Sequence, residues 1–157
     1  MTDSPLDTPL HTLARSGLGA ADDGTRRALA DALDILGACV LCDRVERDEE
    51  LVELAHCAQV LARHLAPEAV ISRKGVRDWF AAERERLSEF ACDADAMRAR
   101  LSAIEDPDLR RLMLDAIYDI SVCDYHLADE EGAVIAAALE VWAPIALDPG
   151  RLPRLEA

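Results

Sequence analysis

Apolar residues recur at helical spacing along most of the chain, and their order predicts six helices and no strand. Leu29, Leu33, Leu36 and Val40 mark a helix of about five turns running from Thr25 to the Cys42–Asp43 pair. Leu54, Ala58, Leu61 and Leu65 mark the next, which Pro67 helps to end, because the residue before a proline is pushed out of helical geometry. Val76, Trp79, Phe80, Leu87 and Phe90 describe one long helix with nearly all the aromatic bulk, and Met97, Leu101 and Ile104 a shorter one. Asp106–Pro107 opens a fifth helix, since a proline in the first turn gives up an N–H that has no partner there anyway. Its stripe is Leu109, Leu112, Ala116, Ile120 and Cys123. Val134, Ile135, Ala138, Leu139 and Trp142 form the last, which Pro144 stops.

The expected architecture is therefore an all-α, compact helical bundle. The pattern bounds a helical domain at 25–147, followed by a tail at 148–157. Before it, Pro5, Pro9, Gly17, Gly19 and Gly24 leave room in 1–24 for at most a short helix around Leu10 to Ser16.

A shift of 81 residues lays Cys42-Asp43-Arg44-Val45-Glu46-Arg47-Asp48-Glu49-Glu50 on Cys123-Asp124-Tyr125-His126-Leu127-Ala128-Asp129-Glu130-Glu131, so that Cys, Asp, Asp, Glu and Glu coincide. The same shift sets Leu33 on Leu114, Leu36 on Ile117, Leu54 on Ile135, Val60 on Val141 and Leu61 on Trp142. The chain thus reads as two pseudo-symmetric helix-loop-helix repeats. Two copies are too few for a solenoid, which stacks each unit between neighbours.

Each repeat ends one helix on an Asp and starts the next on Asp-Glu-Glu. Acids in a first turn complement the positive end of the helix dipole and its unpaired N–H groups, which explains Asp48, Glu49, Glu50, Asp129, Glu130 and Glu131 without any ligand. Asp43 and Asp124 stand at the opposite, negative end, where the dipole disfavours them. Their presence in both copies points to a cation. Asp43 and Asp124 lead the candidate cation-binding acids, with Glu46, Asp48, Glu49, Glu50, Asp129, Glu130 and Glu131 around them. All of these are oxygen donors, which suits a hard divalent cation. Neither loop is an EF-hand, which needs a twelve-residue ligand run with Gly at its sixth position.

With these residues in view, the sequence resembles the bacterial tellurite-resistance TerB family, in which each half carries a helix ending in Ala-Asp-Gly and, a few residues on, a Glu that opens the next helix. The motif Asp matches Asp43 and Asp124, and its Glu matches Glu50 and Glu131, over a likeness running from about Ala28 to Leu147-Asp148-Pro149. The resemblance implies an all-helical fold and a role in tellurite resistance or stress response, with Asp43, Glu50, Asp124 and Glu131 as metal ligands and calcium favoured over magnesium. Arg44 and Tyr125 replace the family's Gly, and Cys42 and Cys123 its Ala, so the resemblance implies a weaker first half-site, where Arg44 adds a positive charge.

Composition sharpens the exclusions. The chain has 157 residues, with 31 carboxylates against 17 Lys and Arg for a net charge of −14, which repels nucleic-acid phosphate. A basic protein partner docking on the acidic surface is the alternative to a metal, and plain solubility is the competing explanation for the bulk of the charge. No signal peptide or membrane span is written in the sequence. The five cysteines, at 39, 42, 57, 92 and 123, lie in apolar helical patterns and read as reduced thiols of a cytoplasmic protein. Cys39-Val-Leu-Cys42 has the spacing of a zinc or redox pair, but no second pair follows, and a zinc site assembled with His56, Cys57, His126 or Cys123 is disfavoured. His56 and His64 are expected at the surface. No phosphate loop, nucleophile elbow or metalloprotease helix is present, and an enzyme is not expected.

Overall fold

The computed structural model describes residues 22–41, 48–67, 70–122 and 129–142, and these form six helices: α1 (Asp23–Leu41), α2 (Asp48–Leu65), α3 (Arg73–Ala91), α4 (Ala94–Ala103), α5 (Pro107–Val122) and α6 (Asp129–Val141). Among the described residues there is no strand, and no helix is long and apolar enough to cross a membrane. The expected short helix around Leu10 to Ser16 lies outside them.

Local chemistry sets the helix boundaries. The Asp22 carboxylate accepts from the Thr25 N–H at 2.7 Å, so α1 starts at Asp23, ahead of the Thr25 start that the sequence predicts. Ser72 caps α3 by accepting from the Gly75 N–H at 2.9 Å, and Asp93 caps α4 by accepting from the Ala96 N–H at 3.0 Å. Asp106 accepts from the Asp108 N–H at 3.0 Å, and Pro107 is the first residue of α5, as its sequence position predicts.

Helix α1 is the axis of the bundle, in contact with α2, α3, α4 and α5. Every residue from Leu29 to Leu41 is buried, including Asp31 and Asp34. The sequence predicts only a stripe at Leu29, Leu33, Leu36 and Val40. Four neighbouring helices cover the remaining faces, and Ala30, Ala32, Gly37 and Ala38 are small enough to let them approach. At Gly37 the approach is closest: a Cβ there would stand 2.9 Å from Leu87 Cδ1 and 3.5 Å from the Trp79 ring, so α3 crosses α1 at a point only glycine leaves open.

The other helices bury one stripe each. Leu54, Ala58 and Leu61 of α2 are buried with Leu65 half-buried, and α5 buries Leu109, Met113, Ala116, Ile117, Ile120 and Ser121. Ser121 is satisfied by donating to the Ile117 carbonyl at 2.8 Å. Leu112, assigned to the α5 stripe by spacing, is only half-buried. At α6 the buried row is Val134, Ala138 and Trp142, whereas Leu139 is 45 % exposed, because α6 packs on α4 and α5 along a narrow line. Trp142 closes that line by donating its indole N–H to the Leu101 carbonyl at 2.9 Å. The Trp79 indole N–H, by contrast, is buried without an acceptor, at a cost of about 1–3 kcal/mol.

The two repeats take unequal places in this packing. Leu36 and Ile117, and Leu61 and Trp142, are buried as their alignment predicts. Yet α1 is enclosed while α5 keeps an exposed face, and α2 packs against α1, α3 and α5 while α6 packs against α4 and α5.

Candidate functional site

Of the four residues read as metal ligands, Glu50 is the one whose side chain falls within the described residues. It sits in the first turn of α2 and is 1 % exposed, whereas its neighbours Asp48 and Glu49 are exposed. Asp43, Glu46 and Asp124 lie outside the described residues, as do Cys42, Cys123 and His126. Asp129, Glu130 and Glu131 open α6 as predicted, with side chains outside the described set. The three acids that open α2 are therefore not equivalent: helix-dipole capping operates from an exposed first turn, and burial singles out the third.

A second acidic group was not legible as a site. Asp34, buried in the middle of α1, accepts two hydrogen bonds from the Arg86 fork, each at 2.9 Å, and a third from Arg100 Nη1 at 2.5 Å. Arg100 also reaches Asp31 at 3.3 Å and lies over the Phe90 ring, 5.1 Å from its centroid. Arg86 is held from the other side by Glu83 at 2.6 Å. Burial raises the Asp31 carboxyl above its ordinary value; Arg100 opposes this, Asp34 adds to it and Arg27 again opposes it. The hydrogen bonds to Asp34 raise Arg86 further into its protonated range, against burial, with help from Glu83. Two arginines from α3 and α4 thus neutralise the acids of α1 and tie three helices together. The available signal was an Asp at positions 31 and 34 inside an otherwise apolar run, an i, i+3 pair with no place in a buried stripe.

A third group lies where α2 runs beside α5. Glu53 and Cys57, one turn apart on α2, meet Asp119 of α5, and one ligand atom from each falls within 4.8 Å of the others. The Cys57 thiol is buried and donates to Glu53 Oε1 at 3.7 Å. Asp119 is exposed, but desolvation and then the Glu53 charge raise its carboxyl, while His56 pulls it back. Among the described residues no salt bridge reaches either carboxylate. Farther along, an acid does have a basic neighbour: His64 Nε2 lies 3.3 Å from Asp106. Partial desolvation pushes Asp106 up, but the hydrogen bond from His64 and the N–H groups of Asp108 and Leu109 outweigh it and hold the carboxyl below its ordinary value.

The thiols divide differently from the sequence expectation. Cys39 and Cys57 are buried in helices as predicted, but Cys92 terminates α3 and is exposed. Its position past the last apolar residue of α3, Phe90, leaves it on the outside of the α3–α4 corner. His56 and His64 are exposed, as expected. Comparison with protein-family models, with curated proteins and with solved structures gave no match to this chain.

Proposed function

We propose that this chain is an acidic helical module that binds a divalent cation, calcium in preference to magnesium, at the two helix junctions carrying Asp43 with Glu50 and Asp124 with Glu131. The tellurite-resistance or stress-response setting of the family its motif resembles is part of the same proposal. The observation that carries the reading is the burial of Glu50: of the three acids opening α2, the one that matches the motif's ligand position is the one withdrawn from water. Glu50 has an interaction partner within the fold, so its burial is not by itself a demand for a cation; what supports the reading is that a buried carboxylate stands at the position the motif assigns to an oxygen ligand.

The test is a calcium titration of chelator-treated protein, followed by calorimetry and by melting temperature. At a calcium concentration one hundred times the dissociation constant, binding to the folded state alone stabilises it by about 2.7 kcal/mol. Glu50→Gln and Asp124→Asn keep side-chain shape and remove charge, and each is expected to reduce both the heat and the metal-linked rise in melting temperature. Absence of heat and of any melting shift with millimolar calcium or magnesium would reject the metal role. It would leave a helical adaptor whose acidic face docks a basic protein.

A further inference from the structure

We propose that the crossing of α2 and α5 holds a second, chemically distinct metal site, with Glu53, Cys57 and Asp119 as protein ligands for a zinc-class transition metal and water at the fourth position. The site goes beyond the calcium reading, shares no residue with it and stands or falls separately.

The first argument is the donor set. A thiolate together with carboxylates selects zinc or a related transition ion, whereas calcium takes oxygen alone. Glu53 and Cys57 stand at i and i+4 on α2, and the neighbouring helix completes the group with Asp119. Tetrahedral zinc, with bonds of about 2.0–2.3 Å, places its donors roughly 3.3–3.7 Å apart. The Cys57–Glu53 separation of 3.7 Å already meets this, and the remaining separations, at most 4.8 Å, close through side-chain torsions on a surface seam.

The second argument is charge. Elsewhere in the molecule a close carboxylate pair, Asp31 and Asp34 one turn apart on α1, is neutralised by Arg86 and Arg100. At the α2–α5 seam Glu53 and Asp119 are instead brought together to repel each other, with no salt bridge to either carboxylate among the described residues. A divalent ion removes that repulsion and uses the buried thiol at the same time. On binding, the Cys57 S–H bond breaks and an S–metal bond forms, and the thiol proton passes by way of the Glu53 carboxylate it already faces to the buffer. Three protein ligands leave the fourth position to water.

The probe is cobalt(II), which reports thiolate coordination through a sulfur-to-metal charge-transfer band, with zinc then used to displace it. Full-length, reduced, chelator-treated protein is expected to give the band, to release about one proton per metal at neutral pH, and to lose the band on adding zinc. Cys57→Ser should abolish the band, and Asp119→Asn should weaken zinc binding at least about tenfold. The second variant alters an exposed residue and keeps the test alive if the buried one compromises folding. Cys92→Ser, at the exposed thiol far along the chain, and Glu50→Gln, which tests calcium binding, should both leave the band intact. A band that survives Cys57→Ser, zinc affinity indifferent to Asp119→Asn, or no band in the unaltered protein overturns the proposal without touching the calcium reading.

Discussion

Asp34 and Asp119 are both carboxylates close to another acid, Asp34 to Asp31 on its own helix and Asp119 to Glu53 across the α2–α5 seam, and the molecule treats them in opposite ways. Asp34 is deep in the bundle, where an uncompensated charge is prohibitive, and two arginines converge on it with three hydrogen bonds. Asp119 is at the surface, where water screens the repulsion from Glu53 well enough for the pair to persist without an arginine. Asp34 meets its three donors inside the bundle and so has little left to offer a ligand. Asp119 keeps an unmet demand where solvent can deliver an ion. Charge in this protein is structural where it is enclosed and available where it is not.

The strongest way to break this comparison is to remove the enclosed acid. Asp34→Ala strips Arg86 and Arg100 of their shared partner, and breaking one side of a buried ion pair typically costs about 3–5 kcal/mol. The lower end is expected, because the arginine side chains are 40 % and 28 % exposed and can turn to water. Urea unfolding at neutral pH measures it, and a loss below about 1 kcal/mol would show that the network is no more than a surface pair.

The matching change at the seam should have the opposite sign. In metal-free protein Asp119→Asn removes one of two repelling carboxylates and is expected to be neutral or stabilising by no more than about 0.5 kcal/mol, given its exposure. A clear destabilisation in the presence of chelator would mean that Asp119 has a structural role like that of Asp34.

The smallest expected effect is in the pH dependence of that difference. A carboxyl whose folded-state pKa is raised holds its proton longer in the native protein than in the unfolded chain. Stability therefore falls as pH rises from the ordinary value of 3.8 through the raised one. Asp119→Asn removes this loss, so its advantage over the unaltered protein should be absent below about pH 3.8 and grow towards neutrality, by a few tenths of a kcal/mol. Unfolding midpoints of both proteins at several pH values in chelator check it, and an advantage that shrinks with rising pH would contradict the raised carboxyl.

The helices themselves were legible in the sequence, because periodicity and capping are local. Leu54, Ala58 and Leu61 at helical spacing, Pro107 in a first turn and acids opening α2 and α6 need nothing from the rest of the molecule to be recognised. The surface positions of His56 and His64 were legible for the same reason. Which helix would be enclosed was not: the stripe on α1 resembles those on α2 and α5, and only the arrival of α3 and α4 buries Asp31, Asp34 and Gly37. The arginine network joins residues 52 and 66 positions apart, and the Glu53–Cys57–Asp119 group spans two helices separated by more than 40 residues, so neither had a spacing to read. Sequence by itself determined where the chain turns into helix, since that depends on neighbours a few residues away. Tertiary structure alone decided which acids meet arginine and which meet each other, since charges on separate helices interact only through the distances that packing sets.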